Sequence, residues 1–123
     1  MTAAAAERTG DELTAAFAAL ADPTRRAILT RLSAGEATVN QLAEPFALTQ
    51  QAISKHVKVL ERAGLISRSR AAQARPCRIE PARFEAVADW IDRHRQLWHD
   101  RYNRLDEHLA ALDGTGQDQE AGT

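Results

Sequence analysis

From Pro81 to Asp113 the chain contains no glycine and no further proline. Nothing there interrupts a helix, and Pro81 suits a first helical position, where its missing N–H is not needed. Phe84, Val87, Ile91, Trp98, Leu105 and Leu112 fall on one stripe of such a helix, and Trp90, Tyr102 and Leu109 widen it. At 1.5 Å per residue the helix is on the order of 45 Å long. A chain of 123 residues has room for one compact domain, which is too small to cover a helix of that length. Both tryptophans and the only tyrosine lie on it. The stripe through Ile91, Trp98, Tyr102, Leu105, Leu109 and Leu112 is therefore expected to be buried against a second copy of the chain. The alternative is a helix packed wholly on its own core.

The preceding residues read as four shorter helices and a hairpin. Residues 1–10 are Ala-rich and polar and are expected to be a disordered tail. From Asp11, Leu13, Phe17 and Leu20 follow helical spacing. Asp22 and Pro23 restart the chain as N-cap and first helical residue, opening a helix with Ile28, Leu29 and Leu32 inward that stops near Gly35. Thr38 with Gln41 is a capping box for a short helix over 39–46 that buries Val39, Leu42, Ala43 and Phe46, shortened or distorted by Pro45. Thr49 caps the next helix, roughly 50–63, with Ile53, Val57 and Leu60 on one face and Gly64 ending it. The period then changes: 65–70 and 77–80 are strand-like, joined by a turn over 71–76. Residues 114–123 are expected to be a second disordered tail. The fold class is mainly α, an α+β winged helix: four short helices, a two-stranded β-hairpin, and one long C-terminal helix, within a single domain over 11–113, assembled as a dimer.

A net charge of −1 names no partner, but its distribution does. Residues 49–80 hold seven basic side chains against Glu61 and Glu80, a net of +5, whereas 113–123 hold Asp113, Asp118 and Glu120 and no base. That is the charge plan of a protein binding a polyanion through one face, or else of a solvated charged hairpin. The helix over 50–63 begins with small polar side chains, Thr49, Gln50, Gln51 and Ser54, followed by Lys55 and His56 and then Lys58. A helix enters the major groove amino end first, and base edges are read there by short donors and acceptors. Lys55 and Lys58 suit phosphates, while His56 suits either a phosphate or an inward hydrogen bond at a helix–helix junction. The hairpin adds Arg68, Arg70, Arg75 and Arg78, a basic element able to reach backbone or minor groove beside the helix. Together these make a winged helix-turn-helix that binds double-stranded DNA.

Other classes are excluded or weakened. The longest charge-free stretch is too short to span a bilayer, and Met1–Ala6 lacks the basic and apolar regions of a signal peptide, so a cytoplasmic protein without membrane contact is expected. There is no phosphate-binding glycine loop and no nucleophile–base pair, so no catalytic residue is assigned and an enzyme is not expected. The one cysteine, Cys77, forms no disulfide framework. Beside Arg78 it is either a redox-sensitive thiol or a small apolar residue packed under the hairpin. A winged-helix module that binds protein instead of DNA is the rival reading, and it calls for an apolar patch where Thr49–Lys55 is polar.

Three segments in order, Ala21-Asp22-Pro23-Thr24-Arg25-Arg26, Gln51-Ala52-Ile53-Ser54-Lys55-His56-Val57-Lys58-Val59-Leu60 and Ala63-Gly64-Leu65-Ile66, resemble the ArsR/SmtB family of winged-helix repressors over about residues 12–112. Gln73, Arg75-Pro76-Cys77 and the helix carrying Trp90, Trp98, Leu105-Asp106 and His108-Leu109 resemble a metal-independent branch. The resemblance implies a homodimer with the first and last helices at the interface, adding Leu13 and Phe17 to it. It also implies an imperfect palindrome near a promoter and repression by blocking polymerase. The cysteine pair by which many relatives sense soft metals is replaced by Thr38 and Asn40. Of the four-ligand zinc site that other relatives carry on the last helix, Asp92, His94 and His108 are present, but Leu105 stands where a histidine belongs. A zinc-responsive repressor using this partial site is the second alternative. The resemblance names no cofactor and no small-molecule effector.

Leu105 lies on the apolar stripe and keeps that position dry. Zinc is therefore expected neither to bind tightly nor to release DNA, and Leu105→His to create or strengthen a site. Release of DNA by wild type at low micromolar zinc, reversed by chelator, would overturn this.

Overall fold

The computed structural model describes residues 3–70 and 73–121, without the side chains of Ala6 and residues 113–121. The elements run α1 (Ala3–Leu20), α2 (Pro23–Leu32), α3 (Val39–Ala43), α4 (Gln50–Arg62), β1 (Ile66–Arg68), β2 (Cys77–Ile79) and α5 (Pro81–Ala121). The chain forms two compact units, Met1–Val87 and Ala88–Thr123, where a single domain over 11–113 is expected from sequence. The division follows from burial: the core ends at Val87, and the large apolar side chains from Ile91 to Leu112 are exposed.

Helices α2, α3 and α4 each begin where a side chain accepts an orphan backbone N–H. Asp22 Oδ2 accepts from Arg25 N at 3.0 Å, with Pro23 next in line. Thr38 and Gln41 form the complete capping box, at 3.2 and 2.9 Å. Thr49 Oγ1 accepts from Ala52 N at 3.1 Å. Such caps each contribute about 1 kcal/mol. Helix α3 stops at Ala43, just before Pro45, which has no N–H with which to continue the helical ladder.

The ends of α1 and α4 are closed by arginines. Arg25 donates to the carbonyls of Ala19 (2.7 Å) and Ala18 (3.1 Å), and Arg26 to that of Leu20 (2.8 Å), so the start of α2 caps the end of α1. Arg83 Nη1 donates to Ala63 O at 3.1 Å beyond the end of α4, and its other nitrogen lies 3.7 Å from Glu12.

The core draws on every one of these elements. Ile28, Leu29 and Leu32 of α2, Val39 and Leu42 of α3, Ile53, Val57 and Leu60 of α4, then Leu65, Ile66, Cys77 and Val87 are buried. Ala43 and Phe46 are only half-buried. The strands pair antiparallel, Ile66 with Ile79, Ser67 with Arg78 and Arg68 with Cys77. Backbone bonds between Ala37 and Cys77, at 2.7 and 3.1 Å, tie the hairpin to the segment before α3.

Residues 3–10, expected as a loose tail, form the first turns of α1. Alanine has the highest helix propensity, enough to carry the helix through Gly10. Within α1, Ala16 and Ala19 are fully buried while Leu13, Phe17 and Leu20 are half-buried, because small side chains let the helices approach closely. Residues 114–121, also expected as a tail, continue α5, since extending an existing helix adds one hydrogen bond per residue. Residues 1, 2, 122 and 123 of the two expected tails lie outside the described residues.

Gly64 ends α4 with φ +76, in the left-handed region, and a Cβ there would stand 3.0 Å from the Arg83 guanidinium. Gly64→Ala is expected to destabilise the fold by about 1–2 kcal/mol from backbone strain alone, read as a lower urea midpoint at unchanged m-value.

Candidate nucleic-acid interface

Helix α4 has two unlike faces. Ile53, Val57 and Leu60 are 0–1% exposed. On the opposite side Gln50, Gln51, Ser54, Lys55 and Lys58 together line a shallow groove of about 350 Å³. Amide, hydroxyl and ammonium groups there offer donors and acceptors in one place, with both lysines free of ion pairs among the described residues. Thr49, at the head of the helix, uses Oγ1 as the cap acceptor and keeps its hydroxyl proton available to a phosphate. Leu48, 43% exposed just before it, is an apolar neighbour of this surface that sequence reasoning passed over as part of a turn.

His56 does not belong to this group. Arg25 Nη1 donates to His56 Nδ1 at 3.3 Å, and Asp22 Oδ2 lies 3.8 Å from the same nitrogen. The ring is turned toward the start of α2, the inward alternative of the two that the sequence allows. The Asp22 carboxyl is held below the ordinary carboxylate range, chiefly by the Arg25 backbone N–H, with partial desolvation opposing and the Arg25 guanidinium adding to the fall. Asp22 and Arg25 are legible as a cap and a basic residue. Nothing in the sequence says that they meet His56, 31 residues from Arg25.

The four hairpin arginines divide in the same way. Arg68 and Arg78 lie on opposite faces of the ladder, because neighbouring residues of a strand point opposite ways. Arg68 is half-buried across from Cys77 and donates to Arg75 O at 3.3 Å. Arg78 is exposed but bonds Ser67 Oγ at 3.2 Å and pairs with Glu80 at 3.6 Å, while Ser67 in turn donates to Glu80. Arg70 and Arg75 are exposed, with no side-chain partner among the described residues. Arg75 takes φ 47, a left-handed conformation that costs an L-residue on the order of 1–2 kcal/mol. Residues 71 and 72 of the turn lie outside the described residues.

On α5, Asp92 pairs with Arg95 at 3.2 Å. His94 stacks on Trp90 with ring centroids 3.9 Å apart, and its Nδ1 donates to Trp90 O at 2.8 Å. His94 and His108 are separated by about 21 Å of helix, so they cannot share an ion within one chain. No cluster of three metal-ligating side chains occurs among the described residues. Ile91, Trp98, Tyr102, Leu105, Leu109 and Leu112 are 47–67% exposed, whereas Leu13 and Phe17 of α1 are half-buried against the core. No helix among the described residues is long and apolar enough to cross a membrane.

Residues 20–68 match a helix-turn-helix domain family. The chain is 38% identical over 78 residues to the HTH-type transcriptional regulator Rv2034 of Mycobacterium tuberculosis, covering 63% of this chain and 73% of that protein. It is 42% identical over 57 residues to the transcriptional repressor SdpR of Bacillus subtilis, covering 46% of this chain and 63% of the relative. A crystal structure of an ArsR family transcriptional regulator superposes with a TM-score of 0.68 at 43% identity, over 73% of this chain and 93% of that one.

Cys77 is fully buried, and burial pushes its thiol pKa up against the opposing pull of Arg68. The reactive thiolate is therefore scarce at neutral pH. Modification of the native protein by a thiol reagent is expected to be slow and to accelerate sharply once urea unfolds the chain. A fast native reaction would restore the redox reading.

Proposed function

The chain belongs to the ArsR family of transcriptional regulators, and from that premise we propose that it is a homodimeric repressor binding an imperfect palindrome near a promoter. It is a DNA-binding regulator rather than an enzyme. The observation that carries the finer reading is the pairing of faces on α4: Gln50, Gln51, Ser54, Lys55 and Lys58 outward, Ile53, Val57 and Leu60 locked inward. Gln51 and Gln50 read base edges, where a glutamine amide bonds adenine through two hydrogen bonds. Ser54, Thr49, Lys55 and Lys58 hold phosphates or base edges beside them. Arg70 and Arg75, free at the tip of the hairpin, reach the backbone or adjacent minor groove, with Arg78 at its flank. Arg68 contributes by shaping the hairpin.

The dimer reading rests on the exposed stripe of α5. Six large apolar side chains, with Trp98 65% and Leu112 67% exposed, are more than an isolated helix face keeps in water. Burying them between two copies gives two-fold symmetry, and two-fold symmetry in the protein calls for a two-fold site in DNA. The role needs no bound metal: Leu105 occupies a position of the zinc site, and Asp92 is engaged by Arg95. Such a regulator works in the cytoplasm, where the DNA is.

Selection from random DNA is expected to enrich a two-fold motif with half-site centres about 34 Å apart. If no motif is enriched, the reading fails. On that site Gln51→Ala is expected to cost about 1–3 kcal/mol and relax one base position, whereas Arg75→Ala weakens all sequences alike and lowers the salt slope by about 1.

Sedimentation is expected to show a dimer at micromolar concentration. Trp98→Ala shifts it toward monomer, at a cost of about 3–5 kcal/mol for a fully buried tryptophan, and DNA affinity falls with it. A wild-type monomer under those conditions removes the dimer from the proposal.

A further inference from the structure

We infer that His56, acting through Arg25, is a positioning residue that sets the pose of α4 for base reading. The inference rests on the DNA-binding role of the α4 face and adds to it a residue that does not touch DNA.

The geometry is a chain of contacts across three elements. Arg25 holds the carbonyl end of α1 with two nitrogens, at Ala19 O (2.7 Å) and Ala18 O (3.1 Å). Its Nη1 reaches His56 Nδ1 on α4 at 3.3 Å. Its backbone N–H is fixed by Asp22 at 3.0 Å, and Asp22 lies 3.8 Å from the same Nδ1. The guanidinium is therefore held on both other sides, and His56 is where α4 meets a fixed frame. His56 follows Lys55 and precedes Lys58 by half a turn, within the span that carries the outward polar face. Rotation of α4 about its axis moves every base-facing group at once, and discrimination among bases needs placement within about 0.5 Å.

Arginine has only donors, so the bond requires a lone pair on Nδ1 and the proton on Nε2. Protonation removes the acceptor, sets two cations against each other and leaves Asp22 as the attractive partner. The charged groups against the ring are thus Arg25 and Asp22. Helix α1 contributes the Ala18 and Ala19 carbonyls beyond Arg25, and neither α3 nor β1 brings a carboxylate into pairing distance among the described residues. The effect is read in the ratio of specific to non-specific affinity.

The test uses the full chain, the duplex enriched from random DNA and a scrambled duplex. His56→Asn keeps an acceptor at the Nδ1 place, His56→Gln moves it outward to the Nε2 place, and His56→Leu removes it. The Leu and Gln variants are expected to lose about tenfold in the specific-to-non-specific ratio, and the Asn variant to retain most of it. If the Leu variant does not fold, the Asn–Gln comparison decides. Equal ratios for Asn and Gln, or a Leu variant that matches wild type, overturns the inference while leaving the DNA-binding role standing. Failure of wild type to enrich any duplex overturns both.

Discussion

Burial of Ile53, Val57 and Leu60 ties α4 to α1, α2, α3 and β1 at once. Each such side chain contributes about 1.5–3 kcal/mol when removed from water. Because they recur at three- and four-residue spacing along one side, they fix which side of the helix faces the core and leave its remaining faces to solvent. The polar groove of Gln50, Gln51, Ser54, Lys55 and Lys58 is the complement of that buried stripe. A surface helix attached by one edge would carry the same residues without a fixed direction for them. In this molecule the helix that carries the polar groove also packs against α1, α2, α3 and β1.

Arginine serves two purposes in the fold, and they compete for the same side chains. Arg25, Arg26, Arg31 and Arg83 bond backbone carbonyls at or beyond the ends of helices. Those carbonyls have no intrahelical partner, and a guanidinium satisfies them while also answering the negative end of the helix dipole. Within the hairpin Arg68 and Arg78 are drawn into the ladder's own network, leaving Arg70 and Arg75 open to a ligand. Of the seven basic side chains over residues 49–80, two are therefore spent within the hairpin.

The hairpin is short, three residues in each strand, and its rigidity comes from what it is fastened to. Ala37 and Cys77 exchange both backbone bonds, and Cys77 and Ile66 fill the core beneath. This explains a cysteine at that position without any redox chemistry. A small apolar side chain is needed where the strand passes over the Ala37 segment, and its burial raises the thiol pKa and keeps it unreactive.

Much of this was legible in the chain itself. Asp22, Thr38 and Thr49 announce three helix starts, because a cap is a local hydrogen bond between residues three apart. Gly64 announces a helix end, and the spacing of Ile53, Val57 and Leu60 sorts the two faces of α4 before any tertiary contact is known. The Ala-rich start, read as a tail, is helical, and the burial of Ala16 and Ala19 was hidden because alanine carries too little hydrophobicity to mark a face. The division of the chain at Val87 was also hidden, since the apolar stripe of α5 runs on unchanged past the point where its burial stops. What tertiary structure alone decided is which polar side chains are free. His56 reads like its neighbours in sequence and is turned inward by Asp22 and Arg25; Arg68 reads like Arg70 and is held across the ladder from Cys77. Caps and amphipathic periods depend on residues within one or two turns of each other, so sequence carries them. The partner of a charged group comes from a distant segment, and only the folded chain brings the two within hydrogen-bond reach.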